Sequence, residues 1–186
     1  MLRTQKILNM SRFVSLVITA ILISQIVSGQ SRSSRYMMSK MLDQKPGYIT
    51  INDLAGGIGL SQKTTSYSDF YYGLTTIHGY QISKEFILAA GMGFNVYGDG
   101  ILIPVFLDFR YMFYVSRLTL YVSGDGGFLL KPSDLINTKQ FINPALGASY
   151  SFSRKIALNF SAGIFSQFED TRDSFLNFKT GIIYKF

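Results

Sequence analysis

The sequence predicts an all-β fold: an eight-stranded antiparallel up-and-down barrel that crosses a membrane on its strands, behind a cleavable signal peptide. Three observations predict it. Apolar and polar residues alternate with period two from Gly47 to the C-terminus, which is the strand signal. The alternating segments are 12–14 residues long, whereas soluble strands average about 5–6 residues and a membrane-crossing strand needs about 9–11. The chain is also rich in Phe (16), Tyr (12) and Gly (17) and poor in charge (16%). After residue 47 there is no long apolar run, hence no helical span, and Leu, Ala and Glu do not recur at helical spacing.

The N-terminus reads as a targeting segment. Arg3, Lys6 and Arg12 form a basic region without an acid, and the fifteen residues Phe13–Val27 are mostly apolar. That is short of the roughly 20 residues of a transmembrane helix. Ser28 and Gly29 supply small residues before the polar "QSRSSR". We therefore assign 1–29 to the signal peptide, in preference to a retained anchor helix, and 30–46 to a polar, Met-dotted periplasmic leader. The barrel occupies 47–186.

The eight predicted strands run at 47–60, 67–80, 86–97, 101–113, 117–130, 140–152, 156–168 and 173–186. "QISKE", "YVS" and "SRK" join them at one end. "SQKTTS", "GDG", "KPSDLINTK" and "EDTR" join them at the other, mostly as longer polar loops. Short periplasmic turns opposite longer outer loops, with an even strand number, mark an outer-membrane barrel. Pro104 and Pro144 cannot donate to a ladder and fall early in their strands.

Size decides which face points inward. In the fourth segment Ile101, Ile103, Val105, Leu107, Phe109, Tyr111 and Phe113 oppose Leu102, Phe106, Asp108, Arg110 and Met112. The polar face is also the small one, carrying Gly57, Gly59, Gly73, Gly79, Gly91, Gly93, Gly127, Gly147, Gly163 and Gly181. An eight-stranded barrel has an interior just wide enough for side chains to fill. The glycine-rich face is therefore the lumen, and the aliphatic and aromatic face meets lipid. Tyr80, Tyr111, Phe113, Tyr150 and Phe152, with Tyr184 and Phe186, lie outward beside the short turns as a periplasmic aromatic girdle. Phe70, Tyr72, Phe94 and Phe168 suit the opposite girdle.

"GIGL" after the first strand, "PVFLDFRYMF" in a middle strand and the terminal "GIIYKF" resemble the small outer-membrane β-barrel proteins of Gram-negative bacteria, in the style of the Bacteroidota. The likeness covers 47–186. It implies that Phe178, Ile182, Tyr184 and Phe186 form the C-terminal signal read by the barrel-assembly machinery, with Thr180 interrupting the row. It also implies cell outer membrane localisation, with membrane lipid and envelope proteins as partners. Such patterns specify a class of fold, not a function.

By the face assignment Asp53, Asp69, Asp108, Arg110, Arg117, Asp125, Lys179 and Lys185 form a charge network in the lumen. Closure of the barrel puts Asp53 within reach of Lys179, and the hairpin of strands four and five lets Asp108, Arg110 and Asp125 share contacts. Buried charges must be paired and hydrogen-bonded, so the network reads as a structural plug. A gated proton or ion path is the sharper alternative.

Other chemistry is sparse. His78 falls on the outward face, away from Ser61, Ser66 and Ser68, so a serine hydrolase is not expected. "GDG" at 98–100 and "SGDGG" at 123–127 lack the carboxylate spacing of an EF-hand, "EDTRD" at 169–173 is a charged loop tip whose alternative reading is a weak cation site, and "GGIG" at 56–59 precedes no helix. The absence of cysteine excludes disulfides, acylation on cysteine, thiolate metal sites and a cysteine nucleophile. Of the net charge of +7, three charges belong to the signal region, leaving about +4. That excess is scattered, which argues against nucleic acid.

The expected function is that of a monomeric outer-membrane barrel with a filled polar lumen and no cofactor or metal. It would act as a structural or interaction protein, presenting loops or serving as an accessory subunit of an envelope or secretion complex. The alternatives are a narrow channel for ions or small solutes and a lipid-modifying enzyme. A soluble lipocalin-like carrier would need the opposite sidedness.

Overall fold

The computed structural model describes residues 41–60, 69–98, 100–132, 134–168 and 172–186; the signal region and most of the leader lie outside them. Eight strands follow in order: β1 (Gly47–Gly59), β2 (Phe70–Gln81), β3 (Phe86–Tyr97), β4 (Gly100–Val115), β5 (Leu118–Lys131), β6 (Asp134–Ser151), β7 (Ile156–Phe168) and β8 (Arg172–Lys185). Each pairs antiparallel with its sequence neighbours, and β1 pairs with β8, so the sheet closes into a barrel without an edge.

Alternation fixes the wall. Along β4 the odd residues from Val105 to Phe113 are exposed and the even residues from Leu102 to Met112 are buried. The same two-residue rhythm runs through most of the wall, because successive Cβ atoms point to opposite faces, and it breaks at the end of β7, where Phe165, Ser166 and Gln167 are all buried. Large apolar side chains such as Leu54, Leu107, Leu146 and Phe160 stand outward and exposed.

The outer loops differ from the prediction. "KPSDLINTK" is not a long loop: β5 runs to Lys131 and β6 begins at Asp134, with Lys131 paired to Asp134 across a register shift after Leu129. Residues 134–139 are therefore the first residues of β6 and not part of a loop. Pro132 sets the backbone angle that a tight turn uses. Loops two and three are thus as short as the turns at the other end. Only the β1–β2 link stays long, and the predicted loop 61–66 lies outside the described residues.

Both prolines sit inside strands. The β3–β4 ladder is unbroken from Phe86 opposite Tyr111 to Met92 opposite Val105, then resumes at Asn95 opposite Leu102. The gap is at Pro104, which lacks the N–H. The β6–β7 ladder has a matching gap at Pro144, between Ile142 opposite Ser166 and Ala145 opposite Gly163. Register is the same on either side of each gap, so the barrel tolerates both.

Candidate functional site

The lumen holds three layers. Nearest the short turns it is aliphatic, with Ile49, Ile51, Ile77, Ile87 and Ile183 fully buried. The middle layer is polar and charged. The far layer is aromatic: Tyr71 stacks against Tyr97 at 5.2 Å and Phe165 at 5.5 Å, and Phe141 lies 4.9 Å from Phe165. The expected polar, glycine-lined lumen is densest in the middle layer, while buried polar side chains continue to both ends, with Gln81 and Lys185 near the short turns and Gln167 at the other end. Several glycines serve the rings. Gly57 opposes Tyr71, Gly91 opposes Phe106 and Gly147 opposes Tyr121. In each pair a Cβ on the glycine would collide with the ring. Large and small residues on neighbouring strands thus interlock to fill a narrow interior.

Two hydrogen-bonded chains build the polar layer. In the first, the Tyr71 hydroxyl donates to Asn177 Oδ1 at 2.7 Å, Asn177 Nδ2 donates to Asn143 Oδ1 at 3.2 Å, and Asn143 Nδ2 donates to Asp125 Oδ2 at 2.9 Å. Lys179 Nζ donates to the same carboxylate oxygen. In the second, the Tyr121 hydroxyl donates to Asn159 Oδ1 at 2.7 Å and Asn159 Nδ2 donates to Asp53 Oδ1 at 2.9 Å. Arg110 Nη2 lies 3.9 Å from Asp53 Oδ2 and binds Asp108 by two nitrogens, Nε at 2.9 Å and Nη2 at 3.1 Å. The chains meet where Asp108 and Asp125 face each other across β4 and β5. Arg110 also stands 5.1 Å above the Tyr121 ring and Lys179 5.5 Å from Phe106.

Of the eight predicted lumen charges, Asp53, Asp108, Arg110, Asp125 and Lys179 share this layer. The predicted Asp53–Lys179 contact is not formed. Register places Asp53 opposite Gly181 and Lys179 opposite Ala55, and the long lysine crosses the lumen to Asp125 instead. Asp69 is a correction: it is exposed, in the link before β2, where its carbonyl accepts from the Gly59 N–H at 2.7 Å. Arg117 is a second correction, half-buried in the two-residue β4–β5 turn, beyond the polar layer. That turn begins at Ser116, held at φ 61°, the left-handed conformation that tight hairpins favour at this position.

Lys185 is buried but far from the network, at the short-turn end. Its ammonium donates to Gln81 Oε1 and to the carbonyls of Asp43, at 2.7 Å, and Lys45. Part of the leader is therefore folded against the barrel. Leu42 is only 2% exposed and belongs to the aliphatic layer, closing that end. The Asp43 N–H donates to the Arg154 carbonyl at 2.8 Å, and Arg154 Nη2 reaches Asp43 Oδ2 at 3.3 Å. The Lys45 backbone N–H, donating to Oδ1 at 3.1 Å, holds the Asp43 carboxyl below the usual carboxylate range, with help from Arg154 and Lys185.

The network members missed by sequence reading are Tyr71, Tyr121, Asn143, Asn159 and Asn177, with Lys139 a further buried cation. Their strand parity was readable, but their partners lie on strands that are not neighbours. The predicted girdle residues Tyr80, Tyr111, Phe113, Tyr150 and Phe152 are all exposed outward, and Tyr48, tilted against Phe186 at 5.2 Å, stands with them. Phe178, Ile182 and Phe186 face outward too, and Tyr184 packs edge-on to Phe186 at 4.7 Å. His78 is exposed on the outer wall: Nδ1 is 2.8 Å from the Tyr48 hydroxyl and 3.3 Å from Thr50 Oγ1, and Nε2 is 3.1 Å from Thr76 Oγ1. Ser61, Ser66 and Ser68 lie outside the described residues. Among the described residues no group of three or more His, Cys, Asp or Glu could hold a metal ion.

A cavity between the polar and aromatic layers, lined by Tyr71, Phe106, Asp125, Phe141, Phe165 and Lys179 among others, offers about 10 Å³. That is about enough for a single water.

The fold is that of small outer-membrane barrels. Neisserial surface protein A aligns over 76% of this chain and 99% of its own, with a TM-score of 0.58 and 14% identity. The outer membrane protein OprG from Pseudomonas aeruginosa aligns over 79% and 98%, with a TM-score of 0.53 and 13% identity. A de novo designed transmembrane β-barrel aligns over 78% and 100%, with a TM-score of 0.50 and 20% identity. No protein-family model matches the chain, and no curated protein matches it.

Proposed function

We propose that this chain is an integral protein of the bacterial outer membrane whose closed, filled barrel acts as a structural or interaction scaffold rather than as a pore or an enzyme. Its work lies on its surfaces: the outer hairpins, the periplasmic end where the leader docks, and the wall. An accessory role in an envelope or secretion complex fits such a scaffold. Lipid and the barrel-assembly machinery are its expected partners in biogenesis, with Phe178, Ile182, Tyr184 and Phe186 as the C-terminal signal.

One observation carries the reading. The interior is occupied from end to end by aliphatic, charged and aromatic layers, and the cavity between two of them has room for about one water. Opposite it stands a wall whose exposed side chains are large and apolar, including Leu107 at 54% and Leu146 at 68% exposure, a surface that water would not tolerate at this extent. His78 lies on the exposed outer wall, and its hydrogen-bond partners are the hydroxyls of Tyr48, Thr50 and Thr76, with no carboxylate among them to orient the ring as a catalytic base.

Planar-bilayer recording of the purified full chain tests the scaffold reading. No steady conductance is expected. A stable nanosiemens conductance would overturn the filled lumen and with it the scaffold role.

A further inference from the structure

The outer wall is not uniform. The outward positions of β4 from Ile101 to Phe113, and of β7 from Ile156 to Ile164, carry no amide, imidazole or aliphatic hydroxyl. The outward face of β1 and β2 carries four such groups in one patch: Thr50, Asn52, Thr76 and His78. Register makes them contiguous, with Thr50 opposite His78 and Asn52 opposite Thr76.

The patch sits deep. Tyr48 opposite Tyr80 marks one end of the β1–β2 wall, and Gly56 opposite Tyr72 marks the other. Asn52 and Thr76 lie midway, four residues from each, or about 13 Å along the strand at about 3.3 Å per residue. With strands tilted about 45° from the membrane normal, this pair falls near the centre of the hydrocarbon.

Thr50, Thr76 and His78 satisfy one another, with Tyr48 completing the set. Asn52 does not join them. Its exposed side-chain amide makes no hydrogen bond with any described residue. Lipid tails offer no partner, and an unmet amide at that depth is costly. Leu54, Leu74, Met92 and Ile182 border the patch and are exposed, so the polar groups form an island within an apolar wall.

We propose that two copies of this chain pair in the membrane through the β1–β2 face, with the Asn52 amides of the two copies hydrogen-bonded to each other across a two-fold axis. The chemistry of the patch selects a second copy. It is uncharged, and a primary amide carries both a donor and an acceptor, so each Asn52 Nδ2 donates to the partner's Asn52 Oδ1. A two-fold axis brings identical groups face to face, which suits a self-complementary group. This pairing replaces the expectation of a monomeric barrel. It rests on the membrane-embedded reading above.

The chain has no cysteine, so single-cysteine variants of the full chain report proximity cleanly. In phosphatidylcholine vesicles, oxidation of Leu54→Cys, one outward position beyond Asn52 on β1, is expected to give a disulfide-linked dimer. Leu107→Cys, on β4, is expected to stay monomeric. Asn52→Leu keeps the wall apolar and the barrel folded, as checked by its heat-modifiable gel mobility, and should weaken self-association at least tenfold in energy transfer between labelled copies. Equal crosslinking of the two cysteines, or unchanged association of Asn52→Leu, overturns the proposal. So does an Asn52 that crosslinks to a different envelope protein while the pure chain stays monomeric. Quenching of a fluorophore at Leu107 by brominated lipid is read in the same vesicles. If that quenching is present and the dimer is absent, the pairing alone fails; if the quenching is absent, the membrane reading fails with it.

Discussion

Lys179 of β8 donates to Asp125 of β5 across the lumen, although β6 and β7 stand between those strands along the wall. Most links of the polar layer share this character. Asn159 of β7 reaches Asp53 of β1, Asn177 of β8 reaches Asn143 of β6, and Tyr71 of β2 reaches Asn177. The backbone ladder ties each strand to its neighbours, and the side-chain network ties together strands that the ladder leaves apart. Such a network resists flattening of the barrel as well as strand separation.

Breaking that pair from one side should be expensive. Lys179→Met leaves the Asp125 carboxylate buried, with Asn143 still donating to it, and loss of one partner of a buried ion pair costs about 3–5 kcal/mol. The double variant Lys179→Met with Asp125→Asn should recover most of that loss, because no lone charge remains. Urea unfolding in detergent micelles, arranged as a double-mutant cycle, measures the difference. Additive losses would show that the two groups do not interact.

The glycines opposite lumen rings should resist substitution where an outward glycine does not. Gly147→Val drives a side chain into the Tyr121 ring and Gly91→Val into Phe106, at about 1–3 kcal/mol each for overpacking. Gly124→Ala, where an added Cβ meets open space, should be near neutral. Unfolding midpoints of the three variants give the ranking directly.

The leader should release in acid. Asp43 has a depressed pKa when docked, so its contribution is complete above the unfolded carboxylate value of 3.8 and is lost as pH falls through the lower docked value. An environment-sensitive fluorophore at Gln44→Cys should report a docked leader from pH 7 to pH 5 and a solvent-exposed one in stronger acid. Asp43→Asn, which keeps the shape but not the charge, should shift that signal towards the exposed state at neutral pH.

Sidedness is testable residue by residue. Nitroxide labels at Leu107 and Leu158, which face outward, should collide with oxygen in lipid and not with a water-soluble relaxant. Labels at Ile142 and Phe160, on β6 and β7, should do the same. Water contact at these positions would place the chain outside the bilayer.

The alternation of the sequence by itself determined the strand number, the sidedness of the wall and the aromatic girdle. Each is a local property: a residue's face follows from its parity along its own strand, and Leu107 faces outward whatever the other strands do. Loop polarity was a poorer guide, because residues 134–139 belong to β6 and not to a loop. The tertiary structure alone decided which charges meet. Lys179 passes over Asp53 for Asp125 because register around the whole closed sheet sets the height of each side chain, and a narrow lumen brings distant strands within reach. The same closure decided that Leu42 and Asp43 fold under the barrel and that Asn52 stands unmatched at mid-wall. These are sums over eight strands, and no window of sequence contains them.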